Sequence, residues 1–111
     1  GPDPGYAWNI YLIEAGYQEA IDRFTDPQYR HLALQMQELA REDEPSRSRT
    51  ADVGPIEDFY ELRECGGVLS GLNARVFFGI DKDARALVVL GAIHKQNNGP
   101  TPLGDKIRMR R

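Results

Sequence analysis

The chain is predicted to fold as an α+β layer, with two N-terminal helices packed on one face of a small, mostly antiparallel sheet. Three observations predict it. Apolar residues recur at helical spacing between Tyr17 and Ala40. Later in the chain the pattern changes to short strand-like runs at about 57–64, 73–81 and 85–94. A short turn, Asp81-Lys82-Asp83-Ala84, separates the last two runs, so they should pair antiparallel as a hairpin. The resulting order is β-α-α-β-β-β-(α).

The elements follow in order. Gly1-Pro2 reads as the scar left by a tag-removing protease. Residues 1–5 are therefore expected to be a disordered remnant, and 6–111 a single domain. Trp8 through Ile13 is aromatic and β-branched and suits a first strand. Tyr17, Ala20, Ile21 and Phe24 form the stripe of a short helix that stops at Thr25-Asp26-Pro27. Asp26 is the expected N-cap of a second helix and Pro27 its first residue. That helix carries Tyr29, Leu32, Ala33, Met36, Leu39 and Ala40 on one stripe, with His31 beside it as a surface or boundary residue. The polar stretch from Glu42 to Pro55 is expected to be a loop. Cys65-Gly66-Gly67 through Ser70-Gly71 connects the first two later strands, and Asn97-Asn98-Gly99-Pro100 ends the sheet. Thr101-Pro102 can open a last helix. The expected core is Ile10, Leu12, Leu32, Met36, Leu39, Val76, Phe78, Val88 and Leu90.

With 111 residues, the chain can bury one modest core and not two. Its 41% apolar and 28% charged residues exclude the disordered class. No apolar run approaches the roughly 18–20 residues that span a bilayer, and no signal-peptide pattern is present. The single cysteine, Cys65, excludes an internal disulfide and a multi-cysteine metal site. A cytoplasmic location, with no membrane, no metal and no cofactor, is the expectation. The net charge of −3 hides an asymmetry: residues 1–73 carry 6 Lys+Arg against 14 Asp+Glu, residues 74–111 carry 8 against 3. A basic end on an acidic body points to a polyanionic or acidic partner, the alternative being a solvated basic tail.

Arginine on an otherwise apolar strand requires a reason, because it is almost never buried unless paired. Phe59, Glu61 and Arg63 share one strand face, and Arg75 and Phe77 share another. Arg63 and Arg75 are candidate phosphate clamps, since guanidinium offers paired donors matched to phosphate oxygens. A cross-strand ion pair with Glu61 is the competing reading of Arg63. His94 is the one side chain near the end of the last strand with an ordinary pKa near neutrality, hence a candidate acid or base, against a plain loop hydrogen bond. Lys95 can orient a phosphate or act as acid. Glu61 can serve as base or simply neutralise Arg63. Gln96 is read either as a turn residue or as a contact. Arg63, Arg75, His94 and Lys95 are expected to converge on one concave, positively charged surface.

Tyr60-Glu61-Leu62-Arg63, then Ala74-Arg75-Val76-Phe77-Phe78, then Leu90-Gly91-Ala92-Ile93-His94-Lys95-Gln96-Asn97 with Thr101-Pro102 resemble, in order, three motifs of the RelE/ParE toxin superfamily. The likeness is closest to its HigB-like, phage-derived branch. The resemblance implies a RelE-like fold and a toxin of a type II toxin–antitoxin system, neutralised by a cognate antitoxin. It also implies ribosome-dependent, metal-free cleavage of mRNA by attack of the 2′-OH, with ribosome and mRNA as partners. Arg63, Arg75, His94 and Lys95 would carry the chemistry. Glu61, Phe77, Gln96 and the tail cations Lys106, Arg108, Arg110 and Arg111 would contact RNA. Two features depart from the family pattern: the third motif has His94-Lys95 in place of two lysines, and the chain is acidic overall. The rival expectations are a ParE-like topoisomerase inhibitor without nuclease activity and a degenerate member acting only with its antitoxin.

Overall fold

A computed structural model describes residues 5–95 together with Thr101 and Met109. The elements are β1 (Asn9–Leu12), α1 (Glu14–Arg23), α2 (Asp26–Leu39), β2 (Asp52–Ile56), β3 (Phe59–Glu64), β4 (Asn73–Asp81) and β5 (Ala86–Lys95). The five strands lie in the order β1-β5-β4-β3-β2. β1 runs parallel to β5 and the other three pairings are antiparallel. Both helices pack on one face, giving the α+β layer that the periodicity predicts. The last helix expected from Thr101-Pro102 lies outside the described residues.

α2 opens one residue earlier than the sequence reading placed it. Thr25 is the N-cap: its hydroxyl accepts the Gln28 N–H at 3.3 Å, and the Gln28 side chain accepts the Thr25 N–H at 2.9 Å. This reciprocal capping box satisfies two otherwise orphaned donors, which Asp26 alone could not do. β2 begins inside the stretch read as loop and ends one residue beyond it. Its sequence, Asp52-Val53-Gly54-Pro55-Ile56, contains two residues that argue against a strand; an edge position tolerates them, because one side of an edge strand needs no ladder donors. His31 is the half-buried boundary residue expected, and its Nε2 lies 2.8 Å from Glu64 Oε2.

The helix-side core contains Leu32, Met36, Leu39, Val76 and Phe78, as expected, along with Trp8, Phe24, Leu87 and Val89. Leu12 is 42% exposed at the sheet edge, and Ile10, Val88 and Leu90 are half-buried. On β5 the hairpin register, with Asp81 opposite Ala86, already puts Leu87 and Val89 rather than Val88 and Leu90 on the helix side, and a bulge follows. Phe78 pairs with Val89 but Phe77 pairs with Gly91, so Leu90 is an extra residue and the strand's alternation changes phase there. Leu87 and Val89 face the helices before it, and Ala92 faces them after it. A one-residue slip of this kind moves every later side chain to the other face.

α1 is seated on the bulge. A Cβ at Gly16 would lie 2.5 Å from the Leu90 carbonyl oxygen, a backbone atom with little room to yield. Glu19, one turn on, accepts the Ala92 N–H at 3.1 Å. Gly16→Ala is therefore expected to lift α1 off β5 and destabilise the domain by about 1–3 kcal/mol, the usual penalty for overpacking. Urea denaturation of the two proteins checks it.

Candidate functional site

The sheet face away from the helices carries a second apolar cluster, Phe59, Phe77, Ile93 and Met109, and beside it a charged group. Alternation along β3 puts Glu61 and Arg63 on this face with Phe59, and along β4 it puts Arg75 there with Phe77. The β3–β4 register sets Arg63 directly opposite Arg75. Two like charges in that position repel. Glu61 resolves the conflict. Its Oε1 accepts from Arg75 Nη1 at 2.8 Å and from Arg63 Nε at 3.0 Å, and its Oε2 accepts from the Thr101 hydroxyl. Arg63 also donates from Nη1 to Asp52 Oδ1 at 2.7 Å across to β2.

Burial separates the two arginines. The side chains of Arg75 and Glu61 are each 2% exposed, whereas that of Arg63 is 34% exposed. Arg75 and Glu61 form an interior ion pair, with Arg63 as its solvent-facing member. Partial burial opposes the charge on Arg63, but hydrogen bonds to Asp52 and Glu61 and their attraction outweigh it, so the guanidinium pKa is raised. Arg63 is a permanent cation.

The four expected catalytic residues do not converge. Arg75 pairs with Ile93, so Ile93 lies on the arginine face and His94 points to the helix side. There His94 is exposed and meets the edge of Phe24, with ring centroids 5.6 Å apart. An unbulged hairpin closed at the same turn would pair Arg75 with Ala92 and bring His94 onto the arginine face. The extra residue at Leu90 removes it and brings Lys95, half-buried, to that face instead. Phe77, read as a base-stacking ring, is fully buried and packs edge-on against Phe59 at 6.1 Å. Glu61, read as an RNA contact, is equally enclosed. Gln96, Lys106, Arg108, Arg110 and Arg111 lie outside the described residues.

Sequence reasoning missed Asp52 and Thr101 as members of the network. Thr101 had a signal, the Thr-Pro pair of the third motif; Asp52 had none, standing in an apparent loop. On the other side of the sheet, an apolar cavity of about 230 Å³ opens between the helices and the strands, lined by residues including Leu12, Gly16, Tyr29, Met36 and Val89. Among the described residues its lining holds no charged side chain, so it offers no cation to a phosphate. Tyr29, on its wall, has its pKa raised by burial and then by neighbouring Tyr17.

No protein-family model matches the sequence, and neither does any curated protein sequence. Among solved structures, a chain of the toxin–antitoxin complex RelBE2 from Mycobacterium tuberculosis is similar, with a TM-score of 0.55 and 13% sequence identity. The match covers 80% of this chain and 99% of that one. The fold is RelE-like. At that identity the likeness is one of architecture, and the same architecture can host unrelated activities.

Proposed function

We propose that this chain is the toxin of a type II toxin–antitoxin pair, of the HigB-like branch, and that it cleaves mRNA on the ribosome without a metal. The observation that carries the reading is the Arg63–Arg75 pair, set side by side on the sheet face away from the helices in a RelE-like fold. In the reaction the 2′-oxygen bonds to the adjacent phosphorus as its proton departs. The bond to the 5′-oxygen breaks, and that oxygen takes up a proton. Charge builds on the equatorial oxygens, where fixed cations act most strongly. Arg63 presents its guanidinium to a phosphate from the surface. Arg75 holds Glu61, and Glu61 orients Arg63. Lys95, on the same face, supplies a further cation or the proton for the leaving oxygen. The ribosome holds the strand in line. The basic end of the chain adds electrostatic attraction for RNA. The protein acts in the cytoplasm, and its second partner is a cognate antitoxin, a reading supported by RelBE2 being a toxin–antitoxin complex.

Two observations favour a second reading. Arg75 is enclosed and neutralised by Glu61, and the chain as a whole is acidic, as suits a member that retains antitoxin binding and has lost the nuclease. Induction in bacteria with and without the antitoxin gene, with mRNA 5′ ends mapped, separates the two. Nuclease activity gives new 5′ ends within seconds to minutes of induction, suppressed by the antitoxin. Growth arrest with intact mRNA and altered plasmid supercoiling would instead indicate a topoisomerase inhibitor, and absence of arrest a degenerate toxin.

His94→Gln tests the geometry inside this proposal. Because His94 stands on the helix face, the variant is expected to cleave at the wild-type rate and to change stability by no more than about 0.5 kcal/mol, as surface substitutions do. A large loss of cleavage would return His94 to the mechanism. Single-turnover cleavage on programmed ribosomes reads the difference.

A further inference from the structure

Gly54 sits in the middle of β2, paired with Glu61. Glycine inside a strand weakens it, by about 0.5–1 kcal/mol relative to alanine, so its presence calls for a local reason. Backbone conformation is not that reason. The described glycines with positive φ are Gly5, Gly67 and Gly71, and Gly54 is not among them. Space is the reason. A Cβ on Gly54 would lie 2.3 Å from Arg63 Nη2, 3.1 Å from its Cζ and 3.2 Å from its Nη1. The nearest obstacles to a side chain at this position are thus three atoms of one guanidinium. Arg63 starts opposite Asp52 and leans along the sheet over Gly54, and in that pose it reaches both carboxylates.

We infer that Gly54 is a positioning residue: its missing side chain is the slot that fixes the Arg63 guanidinium between Asp52 and Glu61, aimed at the RNA phosphate. The inference rests on the proposed nuclease function for its target and on this geometry for its cause. A methyl group in the slot leaves the strand intact, because the far end of a flexible side chain yields more readily than backbone. The guanidinium then swings outward and loses the Glu61 contact. The charge remains on the surface, but its donors no longer have one direction. Misplacement of a catalytic cation by about 1 Å can cost on the order of 100-fold in rate even when binding persists.

The test compares Gly54→Ala, Arg63→Ala and the double variant in the full chain. Three quantities are measured: urea unfolding, the Arg Nε–H resonances of ¹⁵N-labelled protein, and cleavage of mRNA on programmed ribosomes. The Arg63 resonance is the one missing from Arg63→Ala. The expected result is that Gly54→Ala keeps its unfolding midpoint, shifts or loses that resonance, and lowers kcat by about 100-fold with a smaller change in KM. The double variant should be no slower than Arg63→Ala alone. An unchanged Arg63 resonance overturns the inference, and so does full activity with the resonance displaced. If Gly54→Ala destabilises the fold, Arg63→Ala should relieve the loss; equal destabilisation with and without Arg63 also overturns it. A wild-type protein that neither cleaves nor binds RNA overturns the nuclease reading and the inference together, whereas an active wild type matched by Gly54→Ala overturns the inference alone.

Discussion

Arg75→Ala is expected to destabilise the domain by about 3–5 kcal/mol, the usual consequence of removing one partner from a buried ion pair. That is a large share of the roughly 5–15 kcal/mol that holds a domain of this size together. Glu61 is the reason. Its carboxylate is as enclosed as the arginine, and it would lose its shortest charged contact. Arg63 and the Thr101 hydroxyl would remain, but one is a surface group and the other is neutral. Urea unfolding monitored by fluorescence of the single tryptophan, Trp8, measures the loss. Replacing both members, Glu61→Leu with Arg75→Met, should recover much of it, because an apolar pair of similar volume leaves no isolated buried charge. If Arg75→Ala is as stable as wild type, the pair is not closed off from solvent in the way its burial indicates. Under the proposed function, loss of toxicity in Arg75→Ala would not by itself establish a catalytic role, since partial unfolding alone would remove it.

The sequence reading of Arg75 as a phosphate clamp implies the opposite, a side chain whose removal leaves the fold nearly intact. The difference shows what was legible and what was not. Alternation placed Glu61 with Arg63 and Arg75 with Phe77, and both pairs do share the face away from the helices. Periodicity found both helices and most of their buried stripe, because an amphipathic helix records its core face in its spacing. Depth was not recorded. Nothing in Arg75 or its neighbours states that the Thr101 and Met109 side chains would be buried on the same face as Glu61 and Phe77. β2 was hidden because Gly54 and Pro55 are loop-like residues whose presence in a strand is permitted by its edge position. The bulge at Leu90 was hidden for a related reason. The run from Leu87 to Ile93 is apolar on both faces, so its side chains carry no alternation from which a change of phase could be read. That one residue decides whether His94 or Lys95 stands beside the arginines.

The cleaner probe of mechanism is Arg63. Arg63→Ala is expected to lower the rate of mRNA cleavage by about 100- to 1,000-fold, the effect of removing one preorganised donor from a developing oxyanion. Its effect on stability should stay below about 1 kcal/mol, since the side chain is a third exposed and its pair with Asp52 is screened by solvent. The contrast with Arg75→Ala is the informative part: one substitution should strike activity and spare the fold, and the other should strike the fold. Arg63→Lys separates charge from geometry. Lysine keeps the cation but cannot place two parallel donors against both carboxylates while facing a phosphate, so it should restore little of the rate. Mapping mRNA 5′ ends after induction of each variant, beside single-turnover rates on programmed ribosomes, gives both readouts. If Arg63→Ala cuts at the wild-type rate while remaining folded, the phosphate is not held at the Arg63 end of this face, and the Lys95 end becomes the place to look. If no variant and no wild type cuts, the group formed by Asp52, Arg63, Glu61 and Arg75 is a structural tie across three strands rather than a phosphate site.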